Sequence, residues 1–401
     1  MILLSHPTGN ANVRALAETF FARGKLFRFA TCIAAPGSSI LPKKVRRRSF
    51  GIPRAKLWTR PLRETVRHIG SKLRLRSLVT HETGWASMDE VGRDFDRYVA
   101  GRLGCVPKGE VYTVYAYEDF ALQTFRVAHK RGLKCVYDLP IAYFEVAQRL
   151  LREQAKRWPD WEPTLGGTRD SPEKLSRKKE ELELAHVVIS PSRFVFDSLP
   201  DDIRATKQCA IAEFGSPSVA TRDVGARPNS DGRLRVLFAG AMSQRKGLAD
   251  LFAAMKLVDS KAVELVVMGS LILPMNFYRD AYAPFTYEAP RPHASVLTLM
   301  QSCDVLILPS ILEGRALVQQ EAMACGLPLI VTRNAGGEDL IEEGKTGFLI
   351  PVGAPDAIAD KIEWFARNRS QLPTMSEAAR RKAESLTWAA YGEKVLNAIE
   401  S

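Results

Sequence analysis

Short apolar, β-branched runs alternate with longer amphipathic stretches along this 401-residue chain. That alternation constrains the fold more than any other feature. The apolar runs suit strands buried on both faces, and the stretches between them suit covering helices. Parallel sheets wrapped by helices give this pattern. Strand candidates in the first half are Met1–Pro7, Arg28–Ala34, Val111–Ala116, Lys134–Pro140 and His186–Pro191. In the second half they are Arg235–Gly240, Val263–Gly269, Val305–Pro309, Pro328–Thr332 and Phe348–Pro351. Between the halves, Ser216–Gly232 is rich in Pro, Gly, Ser and Asp and has no periodicity, which marks a linker. The length suits two domains of about 200 residues. We expect a Rossmann-like, doubly wound α/β domain over 1–218, a second over 219–385, and a closing helix over 386–401 packed back on the first. Doubly wound sheets bind ligands at the carboxyl ends of their strands. Two facing each other would make a cleft, with the site in the loops after strands.

No apolar run approaches the roughly 18 residues of a membrane span, and the opening MILLSHPTGN has no basic n-region or leader-type apolar core. Cys32, Cys105, Cys135, Cys209, Cys303 and Cys325 lack metal-type spacing and mostly sit in apolar runs. They read as reduced and buried in a cytoplasmic protein. The net charge of +12 is concentrated. Between Pro42 and Arg76 lie thirteen Lys or Arg and one acid, Glu64, so the rest of the chain is neutral in sum. This is a local basic insertion, about 42–78, and not a general nucleic-acid surface. Its aromatics, Phe50 and Trp58, are too few for base stacking, so no nucleic-acid partner is expected. Pro61 suits a helix start. From there Leu62, Val66, Ile69 and Leu73 form one stripe, with Arg60, Arg63, Arg67, Lys72, Arg74 and Arg76 around it. Such a helix lies on an anionic membrane surface, packs its stripe on the protein's own sheet, or meets an acidic soluble acceptor.

The most informative stretch is LPSILEGRALVQQEAMACGLPLIVT, Leu308 to Thr332. After the strand comes a loop with Glu313 and Gly314, then a helix expected over Arg315–Cys325 with Gly326 as its cap. Its first-turn N–H groups, at Arg315, Ala316, Leu317 and Val318, stand at the positive end of a helix dipole. Gly314 lets a ligand come close, so the turn suits a diphosphate. Glu313 and Glu321 flank it and suit sugar and ribose hydroxyls.

This region resembles glycosyltransferase family 4, retaining enzymes of the GT-B fold, in its glutamate–seven–glutamate spacing, in EAMACGLP, and in the following NAGGEDLI and GKTGFLIP. FAGAMSQRKGLADLFAAM, Phe238 to Met255, is similar to the family's strand–loop–helix beginning at Gly240, and VVISPSRFVFDSL to the end of its N-terminal domain. Trp388 stands where an aromatic often precedes the last helix. The likeness is strong from Phe238 to Ser401, moderate over 132–215 and weak before that. It implies a GT-B fold and transfer of a sugar, with retention, from a nucleoside-diphosphate sugar. It also implies that Lys246 holds the donor diphosphate, Glu313 orients the sugar and Glu321 binds the ribose. Gly9 and Asn10 fall where the family places a loop near the donor phosphates or acceptor.

There are departures. Ala241 stands where the family usually has an arginine, a role open to Arg245, and Arg315 is either a phosphate contact or a solvated side chain. KCVYDLPIAY has no histidine where many members have one, leaving Asp138 as a contact to acceptor or sugar or as a strand cap. His6 and His81 are further candidates, whereas His129 and His186 look structural. Asp94-Phe95-Asp96 resembles a metal-binding DxD, but it lies in a helical stretch and reads as a salt-bridging face. No metal or other cofactor is expected, since Lys246, Arg245 and a helix N-terminus supply fixed positive charge. The acceptor is a glycan, a lipid-linked sugar or a small molecule. The alternatives are a nucleotide-sugar-binding protein without transfer, or another GT-B enzyme such as an epimerase.

Overall fold

The computed structural model of the chain describes residues 1–35, 48–219 and 232–401. The first domain is a seven-stranded parallel sheet of β1 (Ile2–Ser5), β2 (Leu26–Thr31), β3 (Leu57–Thr59), β4 (Thr113–Tyr117), β5 (Lys134–Asp138), β6 (Val187–Ser190) and β7 (Gln208–Ile211). Its order is β3-β2-β1-β4-β5-β6-β7. The second comprises β8 (Leu234–Ala239), β9 (Val263–Met268), β10 (Phe285–Glu288), β11 (Val305–Leu308), β12 (Leu329–Thr332) and β13 (Gly347–Ile350), ordered β10-β9-β8-β11-β12-β13. Every pairing is parallel. Both sheets have a switch point where the order reverses, beside β1 and β8.

The central strands are fully buried, as their apolar runs require. The sequence reading misses β3, β7 and β10. Their sequences LWT, QCAI and FTYE are short and mixed, because edge strands cover little core. The expected Arg28–Ala34 strand begins two residues earlier and ends at Thr31.

The closing helix Trp388–Glu400 lies against the first domain. Tyr391, Val395, Leu396 and Ile399 pack with Val13, Leu16 and Phe20. Lys134 Nζ donates to Ile399 O at 2.7 Å, and Gln208 Nε2 to Ala398 O at 2.8 Å. Beneath the helix, Tyr391 and Tyr115 share a buried polar layer with Asp138, which is 4% exposed. Burial raises the Asp138 carboxyl to about 7; the neighbouring Tyr115 hydroxyl opposes this and the Glu118 charge adds to it.

A second seam is not apparent in the sequence. Trp161, in the turn Pro159–Thr164, belongs to the core of the second domain. Its ring lies 4.9 Å from Phe277, 5.7 Å from Tyr278 and 6.0 Å from Phe252. Nearby, buried Asp250 pairs with Arg157 at 3.0 Å and accepts from Trp158 Nε1 at 3.3 Å. The boundary expected at residue 218 therefore hides a plug that leaves the first domain some 60 residues earlier in sequence.

Of the basic insertion, residues 42–47 lie outside the described residues. The rest forms β3 and the helix Leu62–Lys72, with Pro61 at its start. Of the expected stripe, Val66 is half-buried, while Leu62, Ile69 and Leu73 are 60%, 52% and 62% exposed. The buried positions of this helix are instead Glu64 and Gly70.

Two outcomes test this description. Trp161→Ala should cost about 3 kcal/mol, by loss of a buried aromatic, and should lower the denaturation midpoint of the second domain. For Asp138, a folded pKa near 7 stands above the ordinary carboxylate value of about 3.9, so the folded state binds the extra proton. Stability should fall as pH rises from about 4 to about 7, and Asp138→Asn should flatten that part of a melting-temperature profile.

Candidate functional site

Two loops of the second domain build the centre of the site. The first leaves β8 through Gly240 and turns at Gln244–Lys246 before the helix Leu248–Met255. The Lys246 stem folds back over Gly240, where a Cβ would come within 2.6 Å of Lys246 Cδ. The second loop leaves β11 and carries Glu313. The two are tied by Ile311 N–H to Arg245 O at 2.9 Å and Arg245 Nη1 to Leu312 O at 3.0 Å. Glu313 N–H donates to Asn334 O at 3.1 Å, which fixes its backbone. At this junction Glu313 Oε1 faces Lys246 Nζ at 2.6 Å and Arg245 Nη1 at 3.0 Å.

Gly314 brings the domains together. Ser192 Oγ donates to Gly314 O at 2.6 Å, and a Cβ on Gly314 would overlap the Pro140 carbonyl. A side chain here would push the second domain off the loop after β5.

The helix that follows spans Leu317–Ala324, two residues shorter at its start than expected. Ala316 N–H is committed to Ala335 O at 3.2 Å. The groups left without a carbonyl one turn earlier are those at Leu317 and Val318, and both residues line the cleft. Arg315 borders the cleft, but its guanidinium is committed inside the protein. Its side chain is fully buried and pairs with Asp339 at 2.7 and 2.9 Å, Gln320 at 3.0 Å and Gly336 O at 3.2 Å. Its guanidinium braces the loop that carries Gly336 and Asp339 against the helix start.

Lys246, Glu313, Glu321, Gly240, Arg315, Ala316, Leu317, Val318 and Asn10 border one interdomain cleft of about 580 Å³. That volume is within the usual range for small-molecule sites. The first domain contributes Asn10, Asn12, Tyr117, Pro140 and Phe214. Asn10 precedes the helix Ala11–Ala22, and its side chain makes no capping bond. Gly9 is not among the lining residues; its carbonyl accepts from Arg14 Nε at 3.0 Å. Asp138 lies beneath the first-domain strand ends and does not border the cleft. His6 is also fully buried, its ring 4.3 Å from Tyr117 and its imidazole pushed down to about 3 by burial.

Several cleft residues are not revealed by the sequence, among them His293 and Arg291. His293 Nε2 lies 2.8 Å from Glu321 Oε1, with Arg291 nearby. Both follow β10, the strand the sequence did not reveal, so the rule that sites follow strands had nothing to point from.

The remaining candidates lie elsewhere. Asp94 pairs with Arg60 at 2.9 Å, as a salt-bridging face would. Asp96 departs from that reading: it is buried and accepts from Gln123 N at 2.6 Å and Thr124 N at 2.9 Å, capping another helix. His186 Nδ1 accepts from Cys135 N at 2.9 Å, and His129 stacks on it at 6.4 Å. His81, Glu82 and Asp170 bring metal-ligand atoms within 4.8 Å of one another among the described residues. Lys174 Nζ, 3.0 Å from both Asp170 and Asp89, already supplies a cation there. Cys105 is exposed, against the expectation of burial, because it closes a surface helix.

Residues 221–382 match the family model described as glycosyl transferases group 1. A D-inositol 3-phosphate glycosyltransferase of Paenarthrobacter aurescens is 29% identical over 175 residues, 41% of this chain and 42% of that protein. The chain thus spans less than half the length of that relative. A sucrose-phosphate synthase from Thermosynechococcus elongatus matches 99% of this chain and 97% of its own, with a TM-score of 0.71 at 18% identity. The Anabaena protein Alr3699/HepE in complex with UDP-glucose matches 100% and 99%, with a TM-score of 0.60 at 15% identity. The two solved structures show that this chain has the two-domain GT-B fold, and over residues 221–382 its sequence is similar to the glycosyl transferases of group 1.

Proposed function

We propose that this chain transfers a hexose-type sugar, with retention, from a UDP- or GDP-sugar to a glycan, lipid-linked or small-molecule hydroxyl. The observation that carries this reading is the convergence of Lys246 Nζ and Arg245 Nη1 on Glu313 Oε1 beside the helix start at Leu317. Two cations and a helix N-terminus around one carboxylate make a place for a diphosphate, with that carboxylate left to hold a sugar hydroxyl. Arg245 supplies the charge that Ala241 lacks. Glu321, steadied by His293, faces the ribose. A bound UDP-glucose in the Anabaena protein supports the choice of donor class. The acceptor approaches from the side of Asn10, Asn12 and Tyr117.

As the bond from the anomeric carbon to the phosphate oxygen breaks, negative charge grows on the departing diphosphate. Lys246 and Arg245 stabilise that charge. The acceptor oxygen bonds to the anomeric carbon on the same face, and its proton leaves on the diphosphate. No metal is required, because fixed side-chain charge meets the leaving group. We place the reaction in the cytoplasm, where six free thiols are at home.

Release of nucleotide from UDP- and GDP-sugars should depend on acceptor. Donor binding without such release would favour the non-transferring alternative. Lys246→Ala should lower turnover by more than about a hundredfold with an unchanged circular dichroism spectrum; turnover close to wild type would remove the phosphate assignment. Activity should also persist in EDTA, and loss restored by manganese or magnesium would contradict the metal-free reading.

A further inference from the structure

We propose that the exposed apolar face between Leu62 and Met88 docks the first domain on an anionic lipid bilayer. Eleven large hydrophobic side chains are exposed among the described residues, and six of them, Leu62, Ile69, Leu73, Leu75, Trp85 and Met88, fall in this segment. Scattered exposed apolar residues need no explanation, but a cluster does.

The electrostatics of the segment select the partner. Its one acid between residues 42 and 76, Glu64, is turned inward. It is consumed by Arg67 at 2.7 Å, Arg48 at 3.3 Å and His68 at 3.0 Å. Arg63 is likewise spent, on Glu90 at 3.1 Å and over the Trp85 ring at 4.6 Å. Lys72, Arg74 and Arg76 stand in an exposed run beside Leu73 and Leu75, with no acidic partner among the described residues. Apolar tips ringed by uncompensated bases complement lipid tails under anionic headgroups.

Arg74 adds a separate observation. It ends the helix Leu62–Lys72 with φ +57, a left-handed conformation that glycine adopts at far lower cost. The fold thus holds a cation between two exposed leucines, Leu73 and Leu75, in a conformation that favours glycine. The position of the patch fits a membrane role. Parallel β3 ends at Thr59, and the helix departs from the carboxyl end of the first sheet, the end that borders the cleft. A bilayer under this rim would lie on the acceptor side. The inference is independent of the transferase reading, since docking needs no turnover.

Co-sedimentation of the whole chain with phosphatidylglycerol-containing vesicles tests it. Binding at low salt should fall about tenfold as salt is raised to half molar, and should be weak on pure phosphatidylcholine. The double variant Ile69→Ser, Leu73→Ser should lose about tenfold in vesicle affinity with no fall in melting temperature. Arg74→Gly should weaken binding while leaving the melting temperature equal or higher. Absence of binding to anionic vesicles would overturn the proposal. So would equal binding to both lipids, or wild-type affinity in the double variant.

Discussion

The Glu313 carboxylate and the two cations that face it are the contact on which the site depends. Lys246 and Arg245 arrive on the loop after β8, and Glu313 on the loop after β11. These strands are neighbours at the switch point of the second sheet, so their loops diverge to make room for a ligand. Diverging loops need a tie, and like charges crowded at one end of a sheet need a counter-charge. The ion pair provides both. It is mostly shielded from solvent, so it is worth more than a surface pair, and removing either partner would leave charge uncompensated. A bound diphosphate would answer the same two cations. In the proposed reaction, ligand and carboxylate would then compete for one electrostatic role, and occupancy would be coupled to the position of Glu313.

The domains meet through backbone as much as through side chains. Gly314 lies so close to the Pro140 carbonyl that only a hydrogen fits, and Ser192 clasps its carbonyl. On the far side Trp161 plugs the second core, while the closing helix returns to the first. Three such ties hold the cleft walls at a defined separation. Two of them are apolar, Trp161 in the second core and the closing helix on the first, and the third is a backbone contact at the rim of the cleft.

The central strands were legible in the sequence because burial on both faces demands continuous apolar runs. Glu313 and Glu321 were legible because a strand followed by a glycine loop and a helix dictates where loop residues point, and Lys246 through the likeness of its loop to glycosyltransferase family 4. The edge strands were not, since LWT and FTYE have neither length nor alternation. The loss of β10 then hid His293 and Arg291, which depend on it for their place. Arg315 borders the cleft, yet the commitment of its side chain was hidden for another reason. Its burial depends on Asp339, 24 residues on, and local sequence does not reveal that partner. Asp138 was located correctly at a strand end, yet a helix from the far terminus covers it, and spacing along the chain gives no sign of that contact.

Charge in this chain is better understood by where it is spent than by its sum. The segment from 42 to 76 carries a net +12, but Arg48, Arg67 and His68 converge on Glu64, Arg60 on Asp94, and Arg63 on Glu90. Burying Glu64 among several bases secures the helix to the domain and removes the acid from the outer surface. The same contact decides which face of the helix turns outward. With Glu64 inward, Leu62, Ile69 and Leu73 cannot also reach the sheet, and the apolar stripe becomes the exposed one. One buried acid thus sets both the orientation of the helix and the character of the surface it presents.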